Sequence, residues 1–334
     1  MSIGTVTTSI QTGRGVLLPL RQLVLILATL AVVIYAANST ASMRYALILG
    51  IVYAIVIVGN NPITAILGEI NIGMSAIMAF GSYAVAYALK IGLPLPVSML
   101  FGVGFTTLSG ALLAIPTVRL NGIFTALSTI ALAFAVPGLA VALQPFTGGA
   151  EGAGLPIDPK LFGVVVGGSS MGMLILCAGL FLIIGLISAW LFNGRVGRLA
   201  LIVGESPPAA TVFGLNVRYT QILVWTWASF VGGVGGVLFA LVVGYVSPQQ
   251  FEPLLSVALL TGGIIGGVRS STGALLGGIL VGTFPLQLQM IVPAAGTGIL
   301  YGVILFVALL VRGRGIAEGV ERVLLRTWAA GARR

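Results

Sequence analysis

The sequence predicts an all-α membrane protein that crosses a bilayer about ten times. Three observations lead there. Of the 334 residues, 58% are hydrophobic and 7% are charged, whereas soluble domains carry about 25% charged residues; so few charges cannot cover a water-facing surface. Apolar runs recur at about 20 residues, the length that spans a hydrocarbon core. The basic residues also segregate strongly once those runs are laid out as spans. Buried helices of a soluble protein would keep a polar face, and a β-barrel would show alternation with a period of two.

The runs lie at about 17–37, 45–67, 72–89, 96–115, 123–143, 171–192, 220–244, 254–267, 274–292 and 298–311. The first follows Arg14 and Arg21 and precedes "AANSTAS", which looks like a leader-cleavage site. It is longer than the roughly 7–15 apolar residues of a secretory leader, so it is expected to remain as a span. The eighth is short, a half-span or broken helix of the kind transporters use. With the amino terminus in the cytoplasm, Arg14, Arg21, Arg119, Arg195, Arg198, Arg218, Arg269, Arg312, Arg314, Arg322, Arg326, Arg333 and Arg334 share the cytoplasmic side. Only Arg44, Lys90 and Lys160 face outwards. That bias requires an even number of spans and puts both termini in the cytoplasm.

Two connections are long: 144–170 outside, with Glu151, Asp158 and Lys160, and 193–219 inside. The basic tail, 312–334, has the pattern of a helix lying on anionic lipid. Nothing marks a soluble domain, so residues 1–334 are expected to form one transmembrane domain. The net charge of +9 reads as topology signal on a lipid-embedded chain, with no nucleic acid as partner. The 48 glycines fit close helix approach. Cys177 stands alone, which excludes an internal disulfide. The chain has no histidine, which removes histidine-based metal sites and proton relays; no metal and no cofactor is expected.

Several chemistries are excluded. The only lysines, Lys90 and Lys160, sit in no phosphate-binding loop, so the chain is not its own P-loop ATPase. "GGIIGGVRSSTG" (262–273) lacks the lysine and fits a tight turn with close helix packing. No serine–histidine pair, ligand cluster or paired carboxylates suggest an enzyme, and no acidic ring or filter suggests a channel. Of seven acidic residues only Glu69 lies near a span interior. Intramembrane carboxylates are functional by default, so Glu69, with Asn71, is a candidate for lining a solute path. The other reading of Glu69 is hydrogen bonding at a helix break. A secondary carrier or channel using Glu69 is the alternative function.

One stretch breaks the apolar pattern. In "GESPPAATVFG", Ser206 suits a helix N-cap, Pro207 the first helical position, and Gly214 the residue just past the end. About two turns of helix are thus specified, too short to be stable alone in water. This predicts a docking helix that offers Val212 and Phe213 to an apolar groove, with Glu205 towards its rim.

Such a loop, with an acidic residue, paired Ala209 and Ala210 and then Gly214, is similar to the coupling loop of ABC-importer permeases. "LGEINIGMSAIMAFGSYAVAYAL", "RLNGIFTALSTIALAF", "FTGGAEGAGLP", "GRVGRLALIVGESPPAATVFGLNV" and "GYVSPQQF" follow in the order found in the M-type permease of branched-chain amino acid ABC importers. The resemblance runs from about residue 45 to about residue 311. It implies a type II-like permease fold and half of a translocation path. It implies two separate ATPase subunits that receive the coupling helix, a second permease subunit (a different chain or another copy) and an extracytoplasmic binding protein. It implies branched-chain amino acids, or a related small polar solute, as cargo. "ALIVGESPPAA" is less charged than the family pattern and carries two prolines, so a more apolar ATPase contact is expected.

Overall fold

The computed structural model describes residues 21–120, 122–155, 159–161, 163–288 and 302–303. The start of the expected first span, the end of the ninth, all of the tenth but 302–303, the basic tail and Asp158 lie outside them. The helices in chain order are α1 (Arg21–Ala37), α2 (Ala41–Ala65), α3 (Met74–Lys90), α4 (Leu95–Thr117), α5 (Ile123–Ala142), the single turn α6 (Gln144–Thr147), α7 (Met171–Asn193), α8 (Arg195–Glu205), α9 (Pro207–Val212), α10 (Val217–Val243), α11 (Pro253–Gly266) and α12 (Ser271–Leu288). Of these, α2, α4, α5, α7 and α10 are long and apolar enough to cross a membrane.

Helix ends follow local chemistry. Thr40 accepts from the Met43 amide at the start of α2, and Asn216 from the Tyr219 amide at the start of α10, each taking up an orphan donor. Gly244 ends α10 at φ +73°, which glycine reaches without a Cβ penalty. The Arg44 guanidinium donates to the carbonyls of Ala36, Ala37 and Ser39 and so caps the end of α1 with positive charge.

Helix α10 is the axis of the fold, packed by α2, α3 and α4. Its "GGVGG" run removes side chains where neighbours come closest. A methyl group at Gly233 would meet Thr106 of α4, at Gly235 Val56 of α2, and at Gly236 the Met78 carbonyl of α3. Lipid is as apolar as a leucine, so this close contact is what holds such helices together. Along α4 the buried residues are Leu95, Ser98, Gly102, Thr106, Gly110 and Ala114; from Ser98 on they are small and spaced by four, one stripe on a helix whose other faces stay exposed. Helix α12 meets α2 in the same way, Gly278 and Gly282 lying against Gly50. The 262–273 stretch is the end of α11, a tight turn at 267–270 and the start of α12, with Gly262 on Gly277 and Gly266 on Gly273.

These contacts fix relative direction. Gly59 meets Val231 and Gly235 meets Val56, so α2 is antiparallel to α10. Gly102 meets Val237 and Gly110 meets Ser229, so α4 is antiparallel as well. Helix α3 is parallel to α10: Gly232 packs on Met74 and Ile77, and the Ser82 hydroxyl donates to the Gly236 carbonyl. Its first turn therefore stands beside the middle of α10. The irregular segment 66–73, between α2 and α3, runs alongside the first half of α10. Backbone of this kind at membrane depth is tolerated where protein buries it or where it lines a cavity.

Beyond α5, the expected long loop is short structured pieces. Strand β1 (Ala153–Gly154) pairs antiparallel with β4 (Tyr245–Val246), and β2 (Lys160–Leu161) with β3 (Val164–Val165). Gly152 sits at φ +78° against the Val246 carbonyl, so the "GGAEGAG" loop is bound to the end of α10.

Candidate functional site: a cavity, an irregular segment and a capped short helix

The glycine-bearing sequence of 66–73 explains its path. Gly68 turns the chain at φ +69°, and the Glu69 amide reaches back to the Ile63 carbonyl at 3.1 Å. The side-chain amide of Asn71 donates to Asn60 Oδ1 at 3.0 Å, and Asn71 Oδ1 accepts from the Gly73 amide at 2.9 Å. The Ile72 amide donates to Thr129 of α5 at 3.1 Å, and the Ser75 amide to Ser256 of α11 at 2.8 Å. The side chains of Asn71, of Thr129 on α5 and of Ser256 on α11 thus accept from backbone amides that lack a helical partner, while Asn60 of α2 fixes the Asn71 side chain.

Beside this segment lies a cavity of about 360 Å³ between α3, α4, α5 and α10, within the range of small-molecule sites. Its polar lining includes Asn71, Thr117, Ser128, Thr129 and Ser229, and the Trp225 ring forms part of its wall. Among the described residues, no ionisable side chain lines it.

The two path candidates therefore separate. Asn71 is fully buried and lines the cavity. Glu69 is not part of its lining: one carboxylate oxygen accepts from Gln221 Nε2 at 3.0 Å and the other from Trp225 Nε1 at 3.1 Å. Asn60, Thr129, Gln221 and Trp225 were not singled out from sequence. The available signal was the spacing of Gln221 and Trp225, which puts two side-chain donors on one face of a helix.

At the same end of α10 sits the capped segment. Helix α8, an amphipathic helix within the expected 193–219 connection, turns sharply off α7; a methyl group at Gly197 would run into the Phe192 carbonyl. Its Gly204 lies against the Ile66 carbonyl and Leu67 at the end of α2. Ser206 caps α9, accepting from the Ala209 amide at 3.4 Å, and Pro207 and Pro208 fill its first turn. At the other end Gly214 adopts φ +73°. The Gly214 amide donates to the Thr211 carbonyl and the Leu215 amide to the Ala210 carbonyl, both at 3.0 Å, which is the paired-bond stop of a Schellman motif.

The segment has an inside and an outside. Ala210 is fully buried, packed with Val203, Leu67, Val224 and Trp225 in a small apolar cluster separate from the main core. Ala209 is half-buried and Glu205 is exposed. Val212 is 85% and Phe213 76% exposed, adjacent apolar side chains pointing away from the chain.

Over residues 42–309 the chain matches the family described as the branched-chain amino acid transport system / permease component. It is 31% identical over 258 residues to the autoinducer 2 import system permease protein LsrC of Enterobacter sp. (strain 638), covering 74% of this chain and 71% of that one. It is 26% identical over 260 residues to the high-affinity branched-chain amino acid transport system permease protein LivM of Escherichia coli (strain K12), covering 70% of this chain and 60% of LivM. Against LivH of the same organism the identity is 25% over 254 residues, covering 70% of this chain and 80% of LivH. No solved structure matches the chain. With the matched region spanning the described helices from α2 onwards, the chain belongs to the branched-chain amino acid transport system / permease component family, as a multi-pass membrane permease subunit of ABC-transporter type and not an enzyme.

Proposed function

We propose that the chain forms half of the translocation path of an ATP-driven importer and passes a small polar solute inwards by alternating access. The observation that carries this is α9: a helix of under two turns, closed at both ends, backed by buried Ala210 and presenting exposed Val212 and Phe213. A helix this short owes its stability to what surrounds it, and its outer face fits an apolar groove on a separate ATPase subunit. Glu205, Ser206, Pro207, Ala209, Val212, Phe213 and Gly214 belong to that docking unit, with Ala210 as its inner anchor. A second permease subunit completes the path and an extracytoplasmic binding protein delivers the solute. Asn71 lines the route, in a cavity whose neutral hydrogen-bonding groups suit a solute without net charge, such as a zwitterionic branched-chain amino acid. The autoinducer 2 relative keeps other small polar solutes in the same class.

The test is co-purification of the permease with its ATPase, followed by uptake into ATP-loaded vesicles over a panel of receptor-bound solutes. ATP-dependent uptake, lost together with co-purification in Phe213→Asp, is the expected result. Uptake driven by a proton gradient without ATP would overturn the reading in favour of a secondary carrier.

A further inference from the structure

The structure points to a role for Glu69 that lies outside the path itself: we propose that it is a positioning residue that ties the cavity-lining segment 66–73 to the start of α10 and so to the α8–α9 unit. This rests on the importer reading above.

Four contacts carry it. Glu69 bridges two donors one turn apart on α10, Gln221 and Trp225, while sitting on a different element. Trp225 is buried, and its ring is also a wall of the cavity. One carboxylate therefore fixes both the segment that carries Asn71 and the orientation of a wall ring. Gly204 of α8 meets the Ile66 carbonyl and Leu67, two to three residues before Glu69, and Ala210 of α9 shares an apolar cluster with Leu67 and Trp225. The docking unit thus touches this segment on one side of Glu69, and Asn71 touches the cavity on the other.

The chemistry suits a link of this kind. Hydrogen bonds to a charged acceptor are about twice as strong as neutral ones, and losing one partner of a buried pair is costly. The segment has no helix of its own to hold it, so Glu69 moves with α10. A displacement of α9 that shifts α10 or the end of α2 then reaches Asn71 through one carboxylate. Coupling is carried by contiguous contacts of this sort where both sites bias one element.

The experiment uses the full permease–ATPase complex in proteoliposomes with solute-loaded binding protein, reading co-purification, ATP hydrolysis and uptake per ATP hydrolysed. Glu69→Ala and Trp225→Phe are expected to assemble and hydrolyse ATP, with uptake per ATP falling about tenfold, within the usual range of coupling between sites. Glu69→Gln, which keeps one acceptor oxygen, should recover part of it. Combining Glu69→Ala with Trp225→Phe should cost no more than the worse single change, because the two remove one interaction. Unchanged uptake per ATP in both single variants, or fully additive losses, would overturn the proposal. If Glu69→Ala does not assemble, Gln221→Leu and Trp225→Phe decide, since each leaves the carboxylate one partner; normal coupling in both overturns it. A wild-type complex without ATP-driven uptake sinks the importer reading itself, which separates the two failures.

Discussion

At Gly236 the α10 backbone lies on the Met78 carbonyl of α3, with no room for a methyl group. Gly236→Ala is therefore expected to lower stability by about 1–3 kcal/mol, as overpacking does, seen as a lower melting temperature in detergent. Gly104→Ala on α4, with nothing within 4 Å, should leave the melting temperature unchanged or slightly raised. Equal shifts in both would mean that close approach is not what the α10 glycines provide. The same distinction governs Ala210. It faces inwards, so Ala210→Glu would bury a charge and disturb the fold of the segment; it does not report on docking. Sequence reading recognised Glu69 as the one acidic residue near a span interior. It could not name Gln221 and Trp225, 152 and 156 residues away, because long-range pairing of this kind leaves no local pattern.

The short helix α9 was legible because caps are local chemistry: Ser206, Pro207 and Gly214 specify both ends whatever the chain does elsewhere. Gly214→Val should strain the positive-φ stop by about 1–2 kcal/mol and weaken ATPase binding by loosening the stop of α9. Phe213→Asp should abolish binding while leaving the melting temperature of the free permease unchanged, since Phe213 is mostly exposed. If Phe213→Asp binds the ATPase normally, α9 is a connector only. Helix α8 was missed because "RVGRLALIVGE" is framed by glycine and charge, which read as loop signals, although its buried face repeats at helical spacing in Gly197, Ala200 and Val203. The sequence predicts an ordinary third span at about 72–89. Its helix does cover Met74–Lys90, but its start beside the middle of α10 was invisible: a helix apolar all round carries no signal of depth.

On the scale of the whole chain, the two ends of α10 define two faces. Near its last residues lie Arg44 at the start of α2, Lys90 at the end of α3, and the β1–β4 pair that holds the 144–155 loop. Near its first residues lie Arg119 after α4, Arg195 and Arg198 on α8, Arg218, and Arg269 before α12. We propose that the second face is cytoplasmic, the side on which the bias in basic residues places it. The chain offers a clean test, because Cys177 is its only cysteine and is fully buried, so a single introduced thiol reports alone. Glu151 and Arg198 are both exposed, each near a different end of α10. Glu151→Cys should react with an impermeant maleimide in cells whose outer face is accessible, and Arg198→Cys and Arg269→Cys only after the membrane is opened. The reverse pattern would leave the helix packing intact and invert the orientation, placing α9 where no ATPase can reach it and removing the importer reading. Labelling of all three from one side would contradict the faces themselves, because α10, at 27 residues and about 1.5 Å of rise each, is long enough to keep its ends on opposite sides of a bilayer.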